Sequence, residues 1–252
     1  MGQYREIAAA VRADIESGVY RRGTRIPSEK RLAEQYGVSR PVINRALRLL
    51  RSQGLIRSHH GGQRGTIVNP IPPIRRTATT RHTKTVREAG GARGAFDGEL
   101  RALGLEPHVE LVRTGPVTPP DEVAEILGLG VDEVAAIRDR RMYANDTPVQ
   151  LATSYVPWSI AAGTPITQPD TGVGGTYSRL AELGYPVRRL RELVVKRLPT
   201  DEERGLLAMD DDQAVFEIRR TALSDNDRAV EVTVHVMPAH QWQLEYEWEI
   251  DS

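Results

Sequence analysis

The sequence predicts an α+β protein made of a small helical module followed by a larger domain of strands with interspersed helices. Apolar residues recur at helical spacing over the first 54 residues, whereas beyond residue 90 short strand-like runs alternate with short helical ones. The net charge also differs between these two parts of the chain. Residues 1–69 carry 13 basic and 5 acidic side chains, a net charge of +8, whereas residues 89–252 carry 16 and 28, a net charge of −12.

This charge split favours a nucleic-acid-binding module joined to a domain with another task. Other classes are excluded by what the chain lacks. No run approaches the about 20 apolar residues of a membrane helix, and the start, Met1 to Glu6, has no apolar core of the kind a signal peptide needs. The sequence has no cysteine, which excludes disulfides and thiolate chemistry. We therefore expect a cytoplasmic protein without a membrane partner.

The first two helices follow from apolar spacing and from their end signals. Tyr4, Ile7, Val11 and Ile15 form one stripe of a first helix, which Gly18 ends. Ser28 follows a proline and is placed as the N-cap of a second, short helix. Gly37 ends that helix, since glycine readily adopts the left-handed conformation of a helix end.

A third helix and a β-ribbon complete the module. Ser39 is the predicted N-cap and Pro41 lies in the first turn, where its missing N–H does no harm. Gly54 ends the helix. Residues 55–60, 61–65 and 66–68 then predict strand, turn and strand. Three helices and a ribbon in under 70 residues predict a winged helix-turn-helix.

The third helix carries the chemistry for base recognition. The second and third helices form the helix-turn-helix, and in this motif the later helix lies in the major groove. There Arg can bridge the O6 and N7 atoms of guanine, and Asn can pair with adenine. Lys30, on the preceding helix, and Arg64, at the tip of the ribbon, are placed to contact DNA as well. The polar face of the third helix presents Ser39, Arg40, Pro41, Asn44, Arg45 and Arg48.

Residues 70–89 are predicted to form a linker before a second domain at 90–252. Pro70, Pro72 and Pro73 make it stiff, and its Arg75 and Arg76 are expected to face DNA phosphates. In the second domain we expect Trp242 and its neighbours to finish a sheet or a dimer face. The predicted helices of this domain are 121–127, 176–183 and 201–207, and its predicted strands are 134–142, 149–156, 190–198, 214–223 and 230–237.

Glycines before the helix at 176–183 suggest a binding site. Gly174-Gly175-Thr176 leaves backbone N–H groups free at a helix N-terminus, which is a suitable seat for an anion. An ordinary turn is the alternative explanation. No metal and no cofactor is predicted. The adjacent His59 and His60 do not form a metal-binding pair, because they would point to opposite faces of a strand.

The first domain resembles the GntR family of bacterial transcriptional regulators. The resemblance runs from Gly23-Thr24-Arg25-Ile26-Pro27-Ser28-Glu29-Lys30-Arg31-Leu32-Ala33 through Tyr36-Gly37-Val38-Ser39-Arg40-Pro41 to the wing Gly62-Gln63-Arg64-Gly65-Thr66. It implies that Lys30, Arg40, Asn44 and Gly62 contact operator DNA. The family usually has Arg where this chain has Asn44.

The second domain resembles the UTRA effector domain of the HutC subfamily. The matching stretches include Asn145-Asp146-Thr147-Pro148-Val149, Ser154-Tyr155-Val156-Pro157, Gly174-Gly175-Thr176-Tyr177 and Val230-Glu231-Val232. The resemblance implies a chorismate-lyase-like fold with a pocket for a small acidic or polar metabolite. The implied effector-binding residues are Arg140, Tyr155, Gly174, Gly175, Tyr177 and Glu231.

Departures from this pattern bear on the ligand. Members that bind amino-sugar phosphates have Glu at the position of Ala152, and Ser at those of Gly175 and Ala95. The small residues here argue against an N-acetylglucosamine-type effector.

We therefore expect a homodimeric repressor that binds a palindromic operator and responds to a small molecule. One alternative is a constitutive DNA-binding protein whose second domain only dimerises. Another is an enzyme, because the effector fold is shared with a lyase, although no paired acid and base stands out in the sequence.

Overall fold

The computed structural model describes residues 2–59 and 65–250, and the side chain of His59 is not among the described parts. The chain divides into two compact units. We call residues 1–73, 198–214 and 239–241 the head unit, and residues 74–197, 215–238 and 242–252 the sheet unit.

The described residues form nine α-helices and ten strands, numbered in chain order. The helices are α1 (Gln3–Glu16), α2 (Glu29–Tyr36), α3 (Arg40–Ser52), α4 (Lys84–Glu88), α5 (Ala95–Ala102), α6 (Asp121–Leu127), α7 (Trp158–Ala161), α8 (Gly175–Glu182) and α9 (Asp201–Leu206). The strands are β1 (Ile56–His59), β2 (Gly65–Val68), β3 (Ile74–Thr77), β4 (Pro107–Val117), β5 (Ala135–Ala144), β6 (Thr147–Pro157), β7 (Arg189–Arg197), β8 (Val215–Leu223), β9 (Ala229–Pro238) and β10 (Trp242–Glu245).

The head unit contains the predicted three helices and antiparallel ribbon, β1 with β2. The hydroxyl of Ser28 accepts from the Arg31 N–H at 3.3 Å, and Gly37 ends α2 with φ of 63°. Ser39 occupies the N-cap of α3, but its side chain makes no capping hydrogen bond. The core is apolar and comprises Ile7, Ala8, Val11, Ile26, Leu32, Ile43, Ala46, Leu47, Leu50, Ile56 and Val68.

Two later segments of the chain also belong to the head unit, although the sequence places them in the second domain. Asn69 connects residues 239–241 to the N-terminal part of the head unit, because its Nδ2 donates to Gln241 Oε1 at 3.0 Å and to the Gly54 carbonyl at 2.9 Å. In the other segment, Gln213 Nε2 donates to the Arg51 carbonyl at 3.1 Å. Gln213 thus binds a carbonyl in the last turn of α3, and Asn69 binds one just beyond the end of that helix.

The sheet unit is built on six antiparallel strands in the order β4-β5-β6-β9-β8-β7. Each strand predicted beyond residue 130 lies within two residues of an observed one, and the predicted helices are present, which confirms the α+β class. Trp242 begins β10, which pairs in parallel with β3. Its indole N–H donates to the Val149 carbonyl at 2.8 Å, so Trp242 helps to finish a sheet, as one expectation had it.

The proline-rich segment differs from the expected linker beyond Pro73. Residues 74–77 form β3 and residues 84–88 form α4, both in the sheet unit. The expectation that Arg75 and Arg76 both face DNA is wrong for Arg76, which is fully buried and forms a bidentate ion pair with Glu192. Adjacent residues of a strand point to opposite faces, and Arg75 is accordingly exposed.

Along residues 2–59 and 65–250, no helix combines the length and the apolar character needed to cross a membrane.

Candidate functional site

The polar face of α3 is open to solvent. Ser39, Arg40, Pro41, Arg45 and Arg48 are exposed, on the side opposite the buried Ile43, Leu47 and Leu50. This surface offers guanidinium groups for phosphates and for guanine, which is what major-groove recognition needs.

Two predicted DNA-contacting residues next to this face have acidic neighbours. Asn44 is half-buried, and its Nδ2 donates to Glu29 Oε1 at 3.4 Å. Lys30 is exposed, with its Nζ 3.9 Å from a carboxylate oxygen of Glu34. Both contacts are long, and the Lys30 pair is exposed to solvent, so DNA can replace them.

The orientation of Arg45 is set by an aromatic ring. Its guanidinium carbon lies 4.3 Å from the centre of the Tyr4 ring, within the range of a cation–π interaction. Arg5 Nε donates to the Tyr4 hydroxyl at 3.0 Å, and this bond, aided by the charge of Arg45, lowers the pKa of Tyr4. The predicted wing residues Gly62 and Arg64, like His60, lie outside the described residues.

The sheet unit contains a cavity of about 100 Å³. Five of the six predicted effector-binding residues line it, namely Arg140, Gly174, Gly175, Tyr177 and Glu231. The sixth, Tyr155, does not. Because side chains alternate along β6, Tyr155 lies on the opposite face of the strand from Ala152 and packs near Val123 and Val232.

Two helix N-termini line this cavity. Helix α5 begins after Gly94 and helix α8 after Gly174, and neither N-terminus has a side-chain cap. First-turn N–H groups without such a cap, together with the helix dipole, favour a bound anion. The two loops approach closely, because a Cβ added at Gly175 would lie 3.0 Å from the Arg93 carbonyl oxygen.

Guanidinium groups add positive charge to the cavity. Arg140 Nη2 donates to Ser154 Oγ at 2.5 Å, and burial lowers the pKa of this arginine. Arg220 is buried, and its Nη1 lies 2.9 Å from His82 Nε2, which therefore accepts. Burial, followed by the charge of Arg220, holds the pKa of His82 well below its usual value, so its ring is neutral.

The strand register explains how the cavity forms. Arg140 on β5 is paired with Ala152 on β6, and Ala152 is paired with His235 on β9. The three side chains therefore lie side by side on one face of the sheet, and the methyl group of Ala152 leaves space between the two larger ones.

Sequence reasoning missed several lining residues. Arg220 and His235 come from β8 and β9, and only the strand order shows that they lie near Arg140. Arg81, His82, Arg87 and Arg93 also line the cavity, and they come from the predicted linker and the loop that follows it. In the described part of the chain, no group of three or more His, Asp or Glu side chains is placed to hold a metal ion.

Known proteins match both units. Residues 3–68 match the family described as bacterial regulatory proteins, gntR family, and residues 102–243 match the UTRA domain. An uncharacterized HTH-type transcriptional regulator of Streptomyces coelicolor is 26% identical over 253 residues, covering 98% of this chain and 93% of that protein. The HTH-type transcriptional repressor NagR of Bacillus subtilis is 25% identical, covering 90% of this chain and 87% of the relative.

A solved structure shares the fold. The crystal structure of PhnF from Mycobacterium smegmatis superimposes with a TM-score of 0.62 at 22% identity, covering 97% of this chain and all of the other. The exposed face of α3, the cavity of the sheet unit and these matches lead to one assignment. The chain belongs to the GntR family of bacterial transcriptional regulators, in the HutC-like architecture of a helix-turn-helix DNA-binding domain followed by a UTRA effector domain.

Proposed function

We propose that the protein is a homodimeric repressor that leaves a palindromic operator when a small anionic effector binds in the cavity of the sheet unit. The observation that carries this proposal is the cavity itself, where two helix N-termini without side-chain caps and the guanidinium groups of Arg140 and Arg220 line one space. A relative named as a transcriptional repressor supports the role of repressor.

On the DNA side, the recognition helix α3 supplies the base contacts. We assign base reading to Arg40 and Asn44, and phosphate contacts to Lys30 and to the wing. The complete proposed set is Lys30, Ser39, Arg40, Pro41, Asn44, Arg45, Arg48, Gly62 and Arg64.

A dimer follows from the geometry of operators. A single winged helix makes few base contacts, and two copies on a palindrome add their half-site energies when the half-sites are about one helical turn apart. The division expected from the sequence is a DNA-binding domain at 1–69, a linker at 70–89 and an effector and dimerisation domain at 90–252. In this scheme we assign residues 74–89 to the effector domain instead, because they belong to the sheet unit and Arg81, His82 and Arg87 line its cavity.

On the effector side, the acid sits on the N-termini of α5 and α8. We assign its neutralisation to Arg140 and its immediate backbone contacts to Gly174 and Gly175, with Tyr177 and Glu231 shaping the rest of the cavity. Tyr155 is not included, because it faces the other side of β6.

A mobility-shift assay on DNA upstream of the protein's own gene tests the proposal. Addition of metabolite extract should release the wild-type protein, whereas Arg140→Met should bind the same DNA and resist release. A constitutive DNA-binding protein would hold the DNA equally in all lanes. The relatives are named as transcriptional regulators, which favours a non-enzymatic role.

A further inference from the structure

We propose that Tyr4 and Arg5 of α1, together with Arg45 of α3, bind a phosphate group of the DNA backbone, so that the first helix takes part in operator binding. The proposal rests on the proposed function, because it adds a contact with the same DNA. It extends the DNA-contacting surface beyond α2, α3 and the wing.

The ring of Tyr4 fixes the position of this cluster. It is half-buried and packs against the apolar core of the head unit. The guanidinium carbon of Arg45 lies 4.3 Å from the ring centre, and that of Arg5 lies 5.8 Å from it, both within the range of a cation–π interaction. One anchored ring therefore holds two exposed guanidinium groups, from two different helices, close together.

The charges of the two arginines are not neutralised within the described part of the chain. There, neither Arg5 nor Arg45 forms an ion pair with a carboxylate, and this includes Glu6, which follows Arg5 in the sequence. Neighbouring cations repel each other, and a bound anion relieves that repulsion. The anions that DNA offers are its backbone phosphates.

The hydroxyl group of Tyr4 adds a further donor. Its oxygen accepts a hydrogen bond from Arg5 Nε at 3.0 Å. This bond, followed by the charges of Arg5 and Arg45, lowers the pKa of Tyr4, so both charges act on the same oxygen. A phenol hydroxyl donates as well as accepts. A phosphate oxygen beside this hydroxyl would therefore accept its proton and lie in the field of both guanidinium groups.

The direction of the Arg45 side chain favours a phosphate over a base. The N-terminal residues of a recognition helix meet the base edges. Arg45 lies further along α3, and its guanidinium group is held against Tyr4 of α1, which is not part of the helix-turn-helix pair. Base reading is thereby left to Arg40 and Asn44.

Three variants of the full chain test the proposal. Arg5→Gln removes one charge, Tyr4→Phe removes the hydroxyl and keeps the ring, and Tyr4→Leu removes the ring as well. Arg12→Gln is the matched control, because it makes the same charge change on the same helix. Arg12 donates to Gln53, just beyond the C-terminal end of α3.

Fluorescence anisotropy compares DNA from upstream of the gene with random DNA of the same length, at salt concentrations from about 50 to 200 mM. Arg5→Gln should weaken binding to both DNAs equally, by about 3- to 10-fold at the lowest salt, because a phosphate contact carries no sequence information. It should also flatten the slope of log affinity against log salt by up to about 0.9, whereas Arg12→Gln should keep the wild-type slope.

The Tyr4 variants separate the hydroxyl from the ring. Tyr4→Phe should weaken binding to both DNAs, and Tyr4→Leu should weaken it further, because Arg45 then loses the ring that orients it. Urea unfolding shows whether each variant is folded. If Tyr4→Leu is not, Arg5→Gln and Tyr4→Phe still decide, since both keep the ring in the core.

Three results would overturn the proposal. Arg5→Gln and Arg12→Gln could give the same salt slope, the loss in Arg5→Gln could be confined to the upstream DNA, or Tyr4→Phe could bind both DNAs as tightly as the wild type. Random DNA separates this proposal from the proposed function. A wild-type protein that does not prefer the upstream DNA, or is not released by metabolite extract, defeats the proposed function, whereas the salt slopes on random DNA still decide the phosphate site.

Discussion

Gly175 lies so close to Arg93 that a Cβ added to the glycine would come within 3.0 Å of the arginine carbonyl oxygen. Gly175 also has φ of 67°, in the left-handed region that favours glycine. This contact brings the N-terminus of α8 against the loop that precedes α5. The proposed anion site therefore depends on a residue without a side chain.

Gly175→Ala is expected to damage the site more than the fold. The backbone strain costs about 1–2 kcal/mol of folding stability, and displacement of the Arg93 loop costs a further about 1.5–3 kcal/mol of anion binding. Gly184→Ala is the matched control, because Gly184 has φ of 86° with nothing within 4 Å of an added Cβ. Denaturant unfolding and titration with propyl phosphate measure the two effects. Equal anion affinities in the two variants would contradict the account.

Adjacent arginines in β3 should behave in opposite ways. Arg76→Ala leaves the Glu192 carboxylate without its buried partner and should cost about 3–5 kcal/mol of stability. Arg75→Ala should cost less than about 0.5 kcal/mol, because the Arg75 side chain is 66% exposed and its contact with Glu245 is at the surface. Urea unfolding of both variants provides the measurement. Similar losses would show that Arg76 is not the buried anchor of this strand.

Arg40→Ala should reduce operator affinity by about 1–3 kcal/mol, as expected for the loss of a base-reading contact. Random DNA of the same length is the control, and its affinity should change far less. Fluorescence anisotropy at one fixed salt concentration compares the two. Equal losses on both DNAs would assign Arg40 to a phosphate contact only.

His240 should make the stability of the protein dependent on pH. Burial lowers the pKa of His240 to about 4, and Gly54 lies directly against its ring. Because the unfolded pKa is near 6.5, the unfolded state binds more protons in the interval between the two values. The contribution of the neutral His240 to the free energy of unfolding is therefore complete above about pH 6.5. It is lost as the pH falls towards 4, and the loss reaches about 2–3 kcal/mol.

The variant His240→Gln isolates this contribution. The neutral His82 and His235 also destabilise the fold on acidification, so the informative quantity is the difference between wild type and variant at each pH. That difference should shrink as the pH falls from 6.5 to 4. A difference that stays constant over this range would show that His240 is not protonated on unfolding.

Local signals explain which parts of this structure were predictable. Ser28 and Gly37 delimit α2 as expected, because capping and left-handed helix ends depend on one or two residues. Strands were found by their apolar runs. By contrast β4, with Gly115, Pro116 and the charged residues Glu110 and Arg113, has no such run and was not predicted.

The site was less predictable, because its residues meet through the strand order. The resemblance implies Arg140 and Glu231 as site residues. His235 lies in the same cavity because β6 pairs with β9, and no local sequence pattern specifies that pairing. Tyr155 was misplaced for a related reason, since a motif gives a position in the chain but not the face of the strand. Arg76 was assigned to a linker on composition alone, whereas its partner Glu192 lies 116 residues away in the sequence.

Calorimetric titration of propyl phosphate, used as the acid that fills the proposed anion site, with and without saturating operator DNA, tests the central claim most directly. If effector binding releases the operator, thermodynamic reciprocity requires that the operator weaken acid binding by the same factor by which the acid weakens operator binding, about 5- to 150-fold. Acid affinities that are identical with and without the operator would contradict the claim, and would leave a DNA-binding protein that its ligand does not regulate.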